Sequence, residues 1–188
     1  MTTEEIIIKL KDGNKRFVTE NLENNLQDSE RRGSLIEGQN PFAIILGCAD
    51  SRVVPEITFD TGLGELFVIR VAGNVANTSS IASIEYAVAH LGTKLIVVLG
   101  HQSCGAVTAA ITGGDNGYNL NHLLAHITPS ISLLEKDATV NEVVKQNAKL
   151  TVTELKKRSA IIRNAIDNGA VKAIPAYYHL DTGKVEFL

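Results

Sequence analysis

The sequence predicts an α/β fold with a mostly parallel central sheet of four strands plus an antiparallel edge strand, flanked by helices and preceded by an N-terminal helical arm. Short apolar runs alternate with longer amphipathic segments, and the runs have no polar face, which is typical of parallel strands covered on both sides. The chain has 188 residues, 44% of them hydrophobic, which is enough for one domain with a sizeable core. We therefore expect a single domain over residues 1–188, with the arm at 1–40 and the core at 41–188.

The arm and the strands follow one another along the chain. Residues 3–20 have the periodicity of an amphipathic helix, although Gly13-Asn14 interrupts it, and the polar residues 21–40 predict a loop or short helices. Strands are predicted, in chain order, at residues 42–46, 66–71, 95–99, 171–178 and 185–188. The last strand follows a turn at residues 181–183, which predicts a hairpin and an antiparallel edge strand.

Helices are predicted between the strands. The helix over residues 79–91 has Thr78 or Ser79 as its N-cap and Gly92 just beyond its end. Further helices are predicted at residues 103–111, 119–134 and 139–167. Because strands and helices alternate, the sheet should be mostly parallel, and such sheets bind ligands beyond the carboxyl ends of their strands.

Two cysteine motifs follow directly on the first and third predicted strands. Residues 48–52 read Cys-Ala-Asp-Ser-Arg and residues 101–104 read His-Gln-Ser-Cys, and these contain the only two cysteines of the chain. If the two strands are neighbours, the side chains of Cys48, His101 and Cys104 converge. Two thiolates and one imidazole leave a tetrahedral zinc one position short, which is typical of a catalytic rather than a structural zinc site.

Asp50 and Arg52 are two residues apart, so in an extended turn both side chains can point in the same direction. A carboxylate beside zinc can accept a hydrogen bond from bound water, or it can bind the metal and close the site. An arginine paired with both carboxylate oxygens favours the first role, so Arg52 is predicted to keep the metal open. Because two thiolates cancel the charge of Zn²⁺, we expect a less acidic water than at a three-histidine site and activity that rises toward alkaline pH.

Composition argues against several classes of partner. The net charge is −3, aromatic residues make up 5% and tryptophan is absent, so nucleic acid is not expected as a partner. No stretch approaches the ~20 apolar residues of a membrane helix, and the N-terminus lacks the pattern of a signal peptide. We therefore expect no membrane partner and a cytoplasmic location.

His122 and His126 have a metal-binding spacing but no acidic partner, and we interpret them as surface or packing residues.

The chain resembles the beta-class carbonic anhydrases over nearly its whole length. The zinc signature of that family, Cys-x-Asp-Ser-Arg followed about fifty residues later by His-x-x-Cys, matches residues 48–52 and 101–104. Further similar stretches lie at residues 59–67, 70–74, 83–86 and 100–107. The resemblance implies one Zn²⁺ per subunit, bound by Cys48, His101 and Cys104.

The resemblance also implies roles for the residues around the metal. Asp50 would orient a zinc-bound hydroxide, and Arg52 would pair with Asp50. The open-site, plant-type branch of the family has a glutamine nine residues before the first cysteine, which is Gln39 here, and two pocket aromatics, which fall on Phe67 and Tyr86. The chain therefore resembles that branch. The residues that would contact substrate are Gln39, Phe67, Tyr86 and the backbone N–H near Gly105.

The expected function is therefore the reversible hydration of carbon dioxide to bicarbonate by a zinc-bound hydroxide. The resemblance further implies a homodimer, often paired into a homotetramer, in which the N-terminal helices embrace the neighbouring subunit. Three alternatives stay open from the residues alone. They are a zinc hydrolase of the same fold acting on carbon disulfide or carbonyl sulfide, a metal-free cysteine hydrolase with Cys48 or Cys104 as nucleophile and His101 as base, and a non-enzymatic zinc or anion-binding module.

Overall fold

One five-stranded sheet organises the chain, which a computed structural model describes over residues 1–24 and 26–188. The strands are β1 (Ala43–Gly47), β2 (Leu66–Arg70), β3 (Leu95–His101), β4 (Lys172–Tyr178) and β5 (Val185–Phe187). Their order is β2-β1-β3-β4-β5; β1 to β4 are parallel and β5 pairs antiparallel with β4. The predicted fold class is confirmed. Asn25, in the segment predicted as a loop or short helices, lies outside the described residues.

Helices cover both faces of this sheet. Within the described part of the chain they are α1 (Thr3–Val18), α2 (Ser29–Ser34), α3 (Pro55–Thr58), α4 (Thr78–His90), α5 (Gly105–Thr112), α6 (Tyr118–Leu124), α7 (Thr128–Ser132), α8 (Val140–Arg158) and α9 (Ala160–Asp167). Alternate residues of β1 enter different apolar clusters: Ile45 packs in the cluster that contains α1 residues, and Ile44 in the cluster with α4, α8 and α9. This explains why the strand has no polar face. None of these described helices has the length and apolar character that crossing a membrane requires.

The N-terminal helix packs on the core of its own chain. Ile6 and Leu10 on its apolar side are buried. At Gly13 a Cβ atom would lie 1.9 Å from the carbonyl oxygen of Phe59, so only glycine permits this close approach. The buried Asn14 side chain hydrogen bonds to the backbone of Thr58, Gly183 and Val185. The Gly-Asn pair that interrupts the helical pattern is therefore the point at which α1 docks.

Two of the predicted helices are broken into shorter ones. The segment 119–134 forms α6 and α7, because Pro129 lacks a backbone N–H and instead occupies the first turn of a new helix. The segment 139–167 breaks at Ser159, which ends α8 and caps α9. The Ser159 hydroxyl oxygen accepts a hydrogen bond from the backbone N–H of Ile162 at 3.1 Å, which starts the second helix.

Two helix starts also differ from the prediction. The N-cap of α4 is Asn77, not Thr78 or Ser79, because its side-chain oxygen accepts a hydrogen bond from the N–H three residues further on. Helix α5 begins at Gly105 rather than at residue 103. Ser103 has a φ of 53°, which lies outside the helical region, so the chain turns sharply before α5 starts.

The strand order places the carboxyl ends of β1 and β3 in position to bind a ligand. Strand β1 lies between β2 and β3, and Gly47 at the end of β1 pairs with Leu99 near the end of β3. The chain therefore leaves β1 and β3 at the point where the strand order reverses. In open α/β sheets, ligands bind in the crevice outside the carboxyl ends of strands at such a switch point.

Candidate metal centre

Three donor atoms converge where β1 and β3 end. The sulfurs of Cys48 and Cys104 and a ring nitrogen of His101 all lie within 4.8 Å of one another, and all three residues are buried. The two sulfurs are 4.0 Å apart. A tetrahedral zinc with Zn–S bonds of ~2.3 Å would place its sulfurs about 3.8 Å apart. The donor set and its spacing therefore fit a zinc ion.

The imidazole of His101 is held in the form that can bind a metal. Its Nδ1 lies 2.9 Å from the backbone carbonyl oxygen of Gln102. Because a carbonyl only accepts hydrogen bonds, Nδ1 carries the proton and the neutral ring keeps its lone pair on Nε2. That Nε2 is buried and has no hydrogen-bond partner among residues 1–24 and 26–188. A metal ion would satisfy this nitrogen, which would otherwise be costly to bury.

The Cys48 sulfur lies in surroundings that stabilise a thiolate. Hydrogen bonding with the Cys104 thiol lowers the pKa of Cys48, helped by the backbone N–H of Gly73, which donates to the sulfur at 3.4 Å. The same contact with Cys48 raises the pKa of Cys104. These contacts favour the thiolate form of Cys48, and a bound cation would displace the proton that remains on Cys104.

Helix α5 starts immediately beside the second sulfur. Cys104 occupies its N-cap position, and Gly105 is its first residue. A Cβ atom built on the exposed Gly105 would meet no atom within 4 Å. Because the first N–H groups of a helix have no partner within the helix, the N–H of Gly105 is available to a ligand.

A fixed ion pair lies next to the three donors. The Arg52 guanidinium donates from Nε to Oδ1 of Asp50 at 2.9 Å and from a terminal nitrogen to Oδ2 at 2.7 Å, and the Arg52 backbone N–H also donates to Oδ1. Hydrogen bonding from Arg52 holds the pKa of Asp50 well below its usual range. Asp50 Oδ2 lies 3.8 Å from His101 Nε2. The carboxylate is therefore ionised and beside the donor set.

Arg70 also holds this site, a role that was not predicted from the sequence. From the end of β2, its guanidinium donates to the carbonyl oxygens of Cys48 at 2.9 Å and of Asp50 at 2.6 Å. It therefore fixes the backbone of the turn that carries both side chains. Two signals pointed to Arg70: it lies near the end of a predicted strand, and it opens the family-like stretch at residues 70–74.

The three other predicted substrate residues do not meet the donor set within one chain. Gln39 is exposed and precedes β1, whereas Cys48 follows the opposite end of that strand. Phe67 pairs with Ile44 in the sheet, four residues or about 13 Å before Cys48 along the strand direction. The rings of Phe67 and Tyr86 do meet, with centroids 6.3 Å apart. These residues form a separate aromatic pair.

The second histidine motif lies apart from this centre. The rings of His122 and His126 are 5.6 Å apart at the end of α6, and His122 is exposed. Burial is the main cause that lowers the pKa of His126. The described residues show one cluster of three metal-ligating side chains, and it does not include this pair.

Comparison with known proteins identifies the family. A family model described as carbonic anhydrase matches residues 43–185. A carbonic anhydrase of Mycolicibacterium smegmatis is 44% identical, covering 94% of this chain and 89% of the relative. Carbonic anhydrase 2 of Mycobacterium tuberculosis is 41% identical, covering 93% and 87%.

Solved structures agree with this match. A tetrameric beta-carbonic anhydrase from Sordaria macrospora superposes with a TM-score of 0.76 at 26% identity, covering 84% of this chain and 85% of the other. The beta-carbonic anhydrase of Coccomyxa gives a TM-score of 0.76 at 28% identity, covering 86% and 78%. The chain therefore belongs to the beta-class carbonic anhydrase family and is an enzyme with carbonic anhydrase activity.

Proposed function

We propose that each chain binds one Zn²⁺ through Cys48, His101 and Cys104 and hydrates carbon dioxide reversibly to bicarbonate. The observation that carries this proposal is the convergence of a ring nitrogen of His101 and both sulfurs within 4.8 Å, together with a buried Nε2 that has no partner in the described part of the chain. Zinc bound there would act as a Lewis acid and lower the pKa of a water molecule at its fourth position. The Gln102 carbonyl fixes the tautomer that such binding needs.

Asp50 is proposed to orient the reacting water. Its Oδ1 accepts two hydrogen bonds from Arg52, so both lone pairs of that oxygen are occupied. Its Oδ2 accepts only one hydrogen bond from Arg52 and faces His101 Nε2 at 3.8 Å. The free lone pair on Oδ2 can therefore accept a hydrogen bond from the water or hydroxide at that position and orient its oxygen toward the carbon of carbon dioxide.

The same pairing supports the open-site branch of the family. Arg52 holds the Asp50 carboxylate at both oxygens, so these charge-assisted hydrogen bonds oppose movement of Asp50 onto the metal. The N–H of Gly105 is proposed to hold a substrate oxygen, because Gly105 is the exposed first residue of α5 and directly follows Cys104. The open form leaves the fourth metal position to solvent.

Gln39, Phe67 and Tyr86 are proposed to complete the pocket across a dimer interface. Gln39 lies at the opposite end of β1 from Cys48, so it can reach a metal centre only if that centre belongs to a second copy. Strand β2 is an edge of the sheet and exposes part of its apolar side chains. Helix α1 adds the exposed Ile8 and Val18. The related Sordaria macrospora enzymes are tetrameric.

We expect the active enzyme to be a homodimer or a homotetramer. Sedimentation velocity should then give two or four times the 20.2 kDa mass of the chain. A monomer with full activity would contradict the shared pocket.

We further propose that the arm at 1–40 and the core at 41–188 form one domain, which the docking of α1 supports. The cytoplasmic location stays a prediction.

Metal analysis combined with stopped-flow carbon dioxide hydration tests the proposed chemistry. We expect one zinc per chain, loss of hydration when a chelator removes the zinc, and recovery when zinc is restored. Carbonyl sulfide and carbon disulfide are assayed in parallel. Full activity without metal, or hydrolysis of the sulfur compounds without hydration of carbon dioxide, would overturn the proposal.

A further inference from the structure

A buried hydrogen-bonded network connects helices α7 and α8 to one of the proposed zinc ligands. The Asn147 side chain is 1% exposed, and its Nδ2 donates to the carbonyl oxygen of Gly73 at 2.8 Å. Its Oδ1 lies 3.3 Å from the hydroxyl of the fully buried Ser130. The N–H of Gly73 donates in turn to the Cys48 sulfur at 3.4 Å. Contacts therefore run from Ser130 through Asn147 and Gly73 to Cys48.

Gly73 does not fix its own orientation. It lies in a short 3₁₀ turn, Ala72–Asn74, with a φ of 71°, and a Cβ atom there would approach Ile127 Cδ1 to 2.7 Å. Only glycine fits this position, and glycine has the greatest backbone freedom of any residue. The direction of its N–H toward the sulfur is therefore set by the groups that hold the turn: the Asn74 N–H donates to the Val71 carbonyl at 2.9 Å, and Asn147 holds the Gly73 carbonyl.

The orientation of the Asn147 amide follows from its partners. The Gly73 carbonyl only accepts hydrogen bonds, so the NH₂ group of Asn147 must face it, and the amide oxygen then faces the Ser130 hydroxyl. A buried amide is costly unless it is hydrogen-bonded, and here both ends of the amide have partners. The network is thus satisfied in one arrangement only.

We propose that Asn147 is a positioning residue for the metal centre: by fixing Gly73, it directs the N–H of that residue at the Cys48 thiolate. This inference rests on the zinc site proposed above. Asn147 contacts neither the three donors nor Asp50 in the hydrogen bonds described, so its effect is transmitted through Gly73. A hydrogen bond to a thiolate withdraws electron density from the sulfur and holds it in place for the metal.

Substitution of Asn147 by leucine tests this role, because leucine has the same branched shape and number of side-chain heavy atoms but no donor. With Co²⁺ in place of zinc, the sulfur-to-cobalt charge-transfer band should move to longer wavelength, since the sulfur is no longer hydrogen-bonded. Zinc affinity, measured by competition with a chromophoric chelator, should fall about 10-fold, the lower end of the range for residues that orient metal ligands.

A matched control separates this role from general packing. Thr151 is also buried on α8, one turn beyond Asn147, and Thr151→Val makes a similar polar-to-apolar change. We expect Thr151→Val to leave the cobalt band and the zinc affinity unchanged. A folded Asn147→Leu protein with the band position and affinity of Thr151→Val would overturn the inference.

Two further measurements keep the test decisive. If Asn147→Leu does not fold, the double variant Ser130→Ala/Asn147→Leu removes the hydroxyl that would be left unpaired and should show the same shift. In wild-type enzyme loaded with ¹¹³Cd and labelled with ¹⁵N-glycine, the Gly73 amide proton should couple to cadmium through the sulfur. Absence of that coupling overturns the inference, whereas failure of wild-type protein to bind any metal overturns the zinc site itself.

Discussion

Replacement of Cys48 by alanine is expected to abolish stoichiometric zinc binding and to reduce carbon dioxide hydration to its uncatalysed rate. The remaining donors, His101 and Cys104, would hold the ion at only two positions. Structural zinc sites with four ligands bind with about 10–16 kcal/mol. Loss of one protein ligand should therefore cost about 3 kcal/mol, or roughly 100-fold or more in affinity. Elemental analysis after dialysis and stopped-flow hydration measure the two effects.

A control for this variant should disturb packing without removing a donor atom. Val97 is fully buried in β3, four residues before His101, and carries no metal-binding group. Val97→Ala should lower the melting temperature but retain one zinc per chain and its turnover. If Cys48→Ala kept one tightly bound zinc and normal hydration, Cys48 would not be a ligand.

Replacement of Asp50 by asparagine is expected to preserve zinc binding and to lower kcat by about 10²–10³-fold, the cost of losing one pre-oriented polar group in an active site. An amide offers one acceptor oxygen where Arg52 needs two. If that oxygen pairs with Arg52, the NH₂ group faces the reacting water, which then loses its acceptor. If the amide is flipped so that its oxygen faces the water, its NH₂ group points at the N–H donors of the Arg52 guanidinium and the two repel. Stopped-flow kinetics and metal content together measure the result.

Asp60→Asn provides the matched control for Asp50→Asn. Asp60 is also a buried carboxylate paired with an arginine, Arg16, and it accepts backbone hydrogen bonds from Glu23 and Asn24 rather than facing the metal donors. Its substitution should lower stability and spare turnover of the folded enzyme. Full activity in Asp50→Asn, with zinc bound, would refute the orienting role of Asp50.

The convergence of the metal donors was predictable from the sequence for a simple reason. Parallel strands end at the same edge of a sheet, so residues that follow two adjacent strands must meet. Cys48 follows β1, and His101 and Cys104 lie at and just after the end of β3. The bidentate pairing of Arg52 with Asp50 was also foreseen, because it is a contact between residues two apart. Both inferences depend on local spacing and on strand ends alone.

Contacts between distant elements were not predictable in this way. Arg70 reaches the Cys48 turn from β2, and Asn147 reaches Gly73 from α8, and neither contact leaves a periodic pattern in the sequence. The break at Ser159 was missed because apolar periodicity continues through it, whereas the cap forms only when its hydroxyl meets the next turn. Pro129 indicates a helix break, but the helix predicted at 119–134 was extended through it.

The position of the donors on two neighbouring strands has a consequence for how the fold is held together. Cys48 belongs to the β2-β1 side of the sheet, and His101 and Cys104 belong to the β3-β4-β5 side. A bound zinc would thus cross-link the two sides of the folded sheet, and because the unfolded chain does not hold the three donors together, the ion would stabilise the folded state by binding to it alone. The enzyme would then melt as one unit at a temperature set partly by its free zinc supply.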